Sequence, residues 1–268
     1  MNTETVETPE NPVVVERDGH VAVVVLNRPE AINAINAAMK IALPQVLQAL
    51  DDDPDVRVVV MAGAGPRGFC AGADIKGFTE PETSLRARKR LLQAGFTSAL
   101  DRFSKPTIAA LHGHCLGGGM EIALACDLRV AAQDTLLALP EINLGLMPGA
   151  GGTQRLPRLV GLGRALELML LGDRIGAEEA LRIGIVNRVV ATSADVRAEA
   201  VALAQRIAQK PPAAAAAVKE ATRVGSTLDL ATGMRLEKDL FALLLATEDK
   251  LEAATAFKEK RAPRFTGR

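Results

Sequence analysis

This sequence predicts an α/β protein whose final quarter is helical, and three observations carry that prediction. Apolar, β-branched runs recur at "VAVVVLN" (21–27), "VRVVVMAG" (56–63) and "PTIAALHG" (106–113). They lack the polar alternation of a one-sided sheet, so the strands are expected to be covered on both faces. Helically spaced segments separate them, and beyond about residue 195 only helical spacing remains.

Taken in order, residues 1–12 are polar and contain Pro9 and Pro12, as a loose tail would. "VAVVVLN" is a strand ended by the turn-forming "RPE". Asn36 is a plausible N-cap for a helix carrying Met39, Leu43, Val46, Leu47 and Leu50, in which Pro44 removes a backbone bond or adds a kink. "DDDPD" (51–55) is a turn and 56–63 a second strand. Glycine and proline crowd 63–81, then a helix is expected over 85–103 with Leu92, Phe96, Leu100 and Phe103 on one face. A strand over 106–113 precedes a glycine triplet and a helical run from about 119 to 126. "LRVAA" (128–132) and "GIVNRVV" (184–190) are further strands, while 160–171 and 177–183 are helical. Val196, Val201, Ala204 and Ile207 form a helical stripe, and the last two segments are 228–246 and 248–260. The expected organisation is a tail (1–12), a core (13–195) and a C-terminal helical region (196–268).

Composition narrows the function classes. Thirty-two basic and 32 acidic side chains give zero formal charge, which argues against a general polyanion binder. With no Trp or Tyr, only seven Phe could stack on bases, which weakens a single-strand nucleic-acid reading. Cys70, Cys115 and Cys126 form no CxxC pair and no complete disulfide set, so a reducing compartment is expected. The N-terminus lacks a basic start and apolar core, and no apolar run reaches membrane-spanning length, so the expected location is the cytoplasm.

Several motifs invite chemistry, each against a plainer reading. "GAGPRG" (63–68) matches G-x-G-x-x-G after a strand, but Pro66 lies inside it and no helix opens at once; it is a loop, not a dinucleotide site. Gly72-Ala73 in "FCAGADIKGF" would let a ligand approach backbone N–H groups, or would simply form a turn. "HCLGGGMEIALACD" (114–127) sets three glycines at the start of an apolar helix, where N–H donors suit an anion or oxyanion. Gly118 and Glu121 share one side of its first turn. Taken alone, the stretch supports a capping and a catalytic Glu121 equally. Glu141, in apolar "LALPEINLGLMPGAGG", supplies a second carboxylate, and two such groups can have their pKa values pushed apart to give an acid and a base. A salt bridge from Arg155 would instead make Glu141 structural. His112 and His114 lack a third metal ligand, the cysteines lack an orienting histidine, and "RARKR" (86–90) reads as a solvated helix face.

Together, "LNRPEAINAIN", "GFCAGADIK", "HCLGGGMEIALACDLRVAA", "LPEINLGLMPGAGGTQRLPRLVG" and "AFKEKRAPRF" have an order and spacing that resemble the enoyl-CoA hydratase (crotonase) family over residues 13–262. The resemblance implies a crotonase (ClpP-like) fold, a spiral of β-β-α units with a C-terminal helical trimerisation region, and trimers that pair into hexamers. It implies that the N–H groups of Ala73 and Gly118 form an oxyanion hole and that Glu121 and Glu141 are the catalytic pair. Ala31, Ala71, Ala73, Asp74, Ile75 and Lys76 would line the CoA path, and Lys258 and Lys260 would reach CoA phosphates, in some members from a neighbouring subunit. The implied reaction is hydration of a 2-enoyl-CoA, with no metal and with coenzyme A entering only as part of the substrate. A double-bond isomerase of the same family is the nearest alternative; from other classes, an RNA-binding or non-catalytic homologue. Glu30 stands where many members carry a basic residue, and "LAL" (137–139) replaces a frequent Phe-Gly-Gln beside the acyl pocket.

Overall fold

The computed structural model of the chain describes residues 11–74, 83–91 and 95–268. Residues 1–10 of the expected tail lie outside them. The long apolar runs form the middle of a six-stranded sheet. Its order is β1 (Val13–Asp18), β2 (Val21–Leu26), β3 (Val58–Gly63), β4 (Thr107–Leu111), β6 (Leu128–Ala132) and β9 (Arg188–Val190). All neighbours are parallel except the hairpin β1–β2. A smaller sheet pairs β5 (His114–Leu116), β7 (Leu136–Ala138) and β8 (Ile175–Gly176).

Both faces of the large sheet are buried, as the unbroken apolar runs predict. Ala22, Val24, Leu26, Val59, Met61, Ala109 and Leu111 point into one core. Their alternating neighbours Val21, Val23, Val25, Val58, Val60, Ile108 and Ala110 point into the other. The first core is closed by α1 (Ala37–Asp52), α3 (Phe96–Arg102) and α4 (Gly118–Ala125). The second is closed by α8 (Ser193–Ala208), which lays Val196, Ala200, Ala204 and Ala208 on the strands. Small side chains four residues apart let that helix approach closely. It spans the expected boundary at 195, so the first C-terminal helix is part of the sheet's cover.

The chain climbs between the sheets in steps. β4 enters the large sheet, β5 the small one, α4 returns, and β6 and β7 repeat the pattern. This is the expected β-β-α spiral. Each step carries the chain past one shared edge, and the site is built there.

Several elements differ from expectation. The single helix over 85–103 is two, α2 (Ser84–Leu91) and α3; Leu92 lies outside the described residues. The strand over 184–190 shortens to β9, because Gly184 is left-handed (φ +86°) and Ile185 N–H bonds back to the Ala180 carbonyl. A helix α5 (Gly152–Val160) precedes α6 (Leu162–Leu171), and neither β1 nor the small sheet was expected. α7 (Ala177–Arg182) follows β8, and α9 (Pro212–Gly225), α10 (Leu230–Leu245) and α11 (Glu248–Glu259) complete the chain.

Candidate active site

The first wall is built from two backbone amides. Ile35 and Ala73 form a parallel bridge: Ile35 N–H donates to the Gly72 carbonyl (2.8 Å), and Asp74 N–H to the Ile35 carbonyl (3.1 Å). That pairing leaves Ala73 N–H directed away from residue 35. Gly118 opens α4, where the first N–H groups have no helical partner. Among the described residues neither amide donates a hydrogen bond. They are neighbours, since a Cβ built on Gly118 would lie 3.6 Å from the Ala73 nitrogen.

The glycine triplet has three separate causes. Gly117 adopts φ +51°, ψ −124°, and a Cβ there would stand 3.1 Å from Glu141 Oε1. Gly118 has an ordinary helical φ, and its missing side chain leaves space bounded by Ile35, Phe96 and Ala73. Gly119 packs on Cys70, whose carbonyl oxygen a Cβ would overlap.

Behind this wall, Ile32 and Asn33 both have positive φ (51° and 56°), rare for side-chain-bearing residues. Asn33 is fully buried, and its amide nitrogen lies 2.9, 3.0 and 3.1 Å from the carbonyl oxygens of Ala64, Gly68 and Phe69. Its Oδ1 accepts from Arg28 N–H (2.9 Å). One side chain thus ties the 28–35 loop to the 64–73 loop and sets the Ile35–Ala73 register. Sequence reasoning missed Asn33; of the two Asn in "AINAIN" only Asn36 stood out, as an N-cap, and Asn33 gives no signal beyond its tolerance of the left-handed region.

Glu121, one turn into α4, is buried at 3% exposure. Its Oε1 accepts two backbone bonds, from Ala150 N–H (2.7 Å) and Gly152 N–H (2.9 Å). Gly152 is glycine for that reason: a Cβ would sit 3.2 Å from Oε1 and 2.8 Å from Pro148. Burial pushes the Glu121 carboxyl above the ordinary glutamate range, while those two amides and the Arg155 charge pull against the rise.

Glu141 opens a short 3-10 turn (Glu141–Leu144) after β7. Its Oε2 is buried with no hydrogen-bond partner among the described residues. Desolvation, and the nearby Glu121 charge, raise this carboxyl to about 7. Arg155 does not pair with it. The guanidinium bonds instead to Asp101, 2.6 Å from each carboxylate oxygen, so the structural reading of Glu141 loses its partner.

Ala73, Gly118, Glu121 and Glu141 are therefore brought together. Ala71 N–H bonds the Ile32 carbonyl (2.9 Å), which places Ala71 and the turn holding Ala31 beside the Asn33 tie. Asp74 accepts from Arg28 (3.2 Å), and Glu30 lies 3.7 Å from the same guanidinium. Ile75 and Lys76 lie outside the described residues. Lys258 and Lys260 are exposed at the end of α11, and nothing described joins them to the other candidates in this chain. His112 Nε2 is 2.8 Å from the Gly65 carbonyl, a packing role. Burial pushes the Cys70 and Cys126 thiols up to about 12 and Cys115 well above its ordinary value, so none is a thiolate nucleophile. Arg86, Arg88 and Lys89 of α2 are exposed.

The arrangement can bind a carbonyl oxygen at two free amides while two carboxyls of different proton affinity face the same space. Comparisons with known proteins point the same way. The enoyl-CoA hydratase/isomerase family model matches residues 16–268. A short-chain-enoyl-CoA hydratase of Clostridium acetobutylicum is 41% identical over 251 residues, covering 94% of this chain and 96% of that protein. A crotonyl-CoA hydratase of Syntrophomonas wolfei is 41% identical over 255 residues, covering 94% and 97%. The crystal structure of an enoyl-CoA hydratase from Bacillus anthracis superposes with a TM-score of 0.90 at 39% identity, covering 96% of this chain and all of that one.

Proposed function

The chain belongs to the enoyl-CoA hydratase/isomerase family, and from that premise we propose that it adds water reversibly to a trans-2-enoyl-CoA, giving the 3-hydroxyacyl-CoA. The thioester carbonyl accepts hydrogen bonds from Ala73 N–H and Gly118 N–H. Polarisation makes C3 electrophilic and stabilises the enolate formed as water attacks, each donor contributing about 3 kcal/mol. Glu121 takes the proton from water. Glu141 delivers a proton to C2. The reaction transfers no electrons, and coenzyme A arrives with the substrate.

The observation that carries this reading is the unequal holding of the two carboxyls. Burial raises the Glu121 carboxyl, and the two backbone donors on Oε1 pull it back toward the ionised form that a base requires. Glu141, raised to about 7 with Oε2 unpartnered among the described residues, keeps its proton below neutral pH and still holds about half of it near pH 7, as an acid requires. A double-bond isomerase can work with one carboxyl, so a second one, whose buried Oε2 has no partner among the described residues, favours hydration.

Along the groove, Ala31, Ala71, Ala73, Asp74, Ile75 and Lys76 line the path of the CoA moiety. Lys258 and Lys260 face the phosphates of a CoA bound to a neighbouring subunit. Assembly as a trimer, paired into a hexamer, is supported by the apolar side chains that the C-terminal helices leave exposed, among them Leu230, Phe241, Leu243 and Phe257. Among the described residues no helix is long and apolar enough to cross a membrane.

The test is direct. Purified protein given crotonyl-CoA should remove the conjugated thioester absorbance, and Glu121→Gln and Glu141→Gln should each slow that loss while leaving the circular dichroism spectrum unchanged. Wild-type rates in both variants would remove the two carboxyls from the mechanism.

A further inference from the structure

Ala150, whose N–H feeds Glu121, is held through its carbonyl as well. Ala150 N–H donates to Glu121 Oε1 (2.7 Å), while the Ala150 carbonyl accepts from Thr97 Oγ1 (3.0 Å) and from Arg155 Nη1 (2.8 Å). Arg155 is itself locked, its other terminal nitrogen lying 2.6 Å from both oxygens of Asp101. Thr97 and Asp101 stand four residues apart on α3, hence on one face. Gly151 completes the clamp, with φ +109° and a Cβ position that the Arg155 guanidinium occupies. A carbonyl with both lone pairs engaged fixes the plane of its own peptide, here the one joining Ala150 to Gly151, which lies between the two peptides that carry the Ala150 and Gly152 N–H donors.

We propose that Thr97 and Arg155 are positioning residues for the hydration step: they hold the Ala150–Gly152 backbone so that both N–H donors meet Glu121 Oε1, leaving Oε2 to take the proton from water. The proposal rests on Glu121 being the base. Neither side chain bonds to Glu121 itself among the described residues; each acts through the loop. Thr97 is 5% exposed and among the described residues its hydroxyl has this one partner, the Ala150 carbonyl. Phe96, the residue before it, packs 3.7 Å from the Cβ position of Gly118, so α3 braces both halves of the site.

The charged groups acting on Glu121 are Arg155 from α5 and Glu141 from the 3-10 turn. Asp101 of α3 bears on it only through Arg155, to which it is paired. Neither Arg102 of α3 nor His114 of β5 bonds to Glu121 among the described residues. Loosening the loop weakens the two N–H bonds that favour ionised Glu121. The acid limb of the rate profile should then move to higher pH.

Hydration of crotonyl-CoA by the full-length protein, followed from pH 5 to 9, tests this with Thr97→Val, Thr97→Ser, Arg155→Lys and Glu121→Gln. Thr97→Val keeps the shape and loses the donor. It should lower kcat about tenfold, the rate equivalent of one ordinary hydrogen bond, with KM within about twofold and the acid limb displaced upward. Thr97→Ser should restore both values. Arg155→Lys keeps a charge but not the fork, and should move kcat and the limb in the same direction. Being a change at a partly exposed side chain, it also serves as the test where Thr97→Val does not fold. Wild-type kcat and pH profile in the folded Thr97 or Arg155 variants, beside an inactive Glu121→Gln, would overturn the clamp and leave the base intact. A fully active Glu121→Gln would bring down the base, and the clamp with it.

Discussion

Helix α4 and the short turn after β7 both present a carboxyl to the amides of Ala73 and Gly118, and they secure it by opposite means. Glu121 sits on a helix packed into the core, with two backbone donors aimed at one oxygen. Glu141 starts a single 3-10 turn, with one buried oxygen left without a partner among the described residues. Both lose water; Glu121 receives two backbone donors from a distant loop in exchange, Glu141 only its own N–H. The difference shows how one fold obtains two proton affinities from one residue type: it varies the partners and leaves the acid unchanged.

The largest effect should come from removing either carboxyl. Glu121→Gln and Glu141→Gln should each reduce kcat for crotonyl-CoA hydration about 10²–10⁴-fold, the usual worth of a positioned acid or base. Unequal dependence on pH should distinguish them. As pH rises through about 7, wild-type kcat/KM should fall because Glu141 gives up the proton it must deliver; Glu141→Gln should lack that limb.

Next in size, the glycine triplet should separate catalysis from folding. Gly118→Ala meets only the tip of Ile35 (3.1 Å), so melting should change little. Its methyl group, however, enters the space between the two amides, and turnover should drop about 10²-fold, as when an oxyanion donor is lost. Gly119→Ala would drive Cβ into the Cys70 carbonyl and should fail to give folded protein, read by circular dichroism and soluble yield.

The smallest effect concerns stability. The folded-state value for Glu141 lies above the ordinary 4.5, so ionising it opposes folding. Stability from this group is complete below about 4.5 and declines as pH rises toward about 7. Glu141→Gln has no charge to bury, so its Tm should exceed the wild-type value at pH 8 by more than at pH 5, in differential scanning calorimetry. Equal differences at the two pH values would mean that Glu141 is not strained in the fold.

The contrast between the two walls was only half legible in the sequence. The strands and α4 announce themselves because long apolar runs and helical spacing are local signals. The partners of Glu121 do not, since they are main-chain N–H groups 29 and 31 residues downstream, supplied by a glycine loop that could have been any turn. The same holds for the Ala150 carbonyl, which Thr97 reaches across 53 residues of chain. α5 was hidden by its polar start and by Pro157, and β5, β7 and β8 are too short for a period to emerge. Resemblance placed Ala73 and Gly118 as a pair, and neither one's surroundings in the chain reveal that Asn33 sets their spacing.

The hairpin strand β1 carries a consequence of another kind. Without it, the large sheet would end at β2, six buried apolar residues whose free N–H and C=O groups would invite a strand from another molecule. β1 occupies that row antiparallel and turns "ERD" outward. Glu16 and Asp18 are further tied to Arg197 and Gln205 of α8. The edge so finished is charged and anchored. A valine-rich sheet is thereby kept from recruiting its own copies along this side.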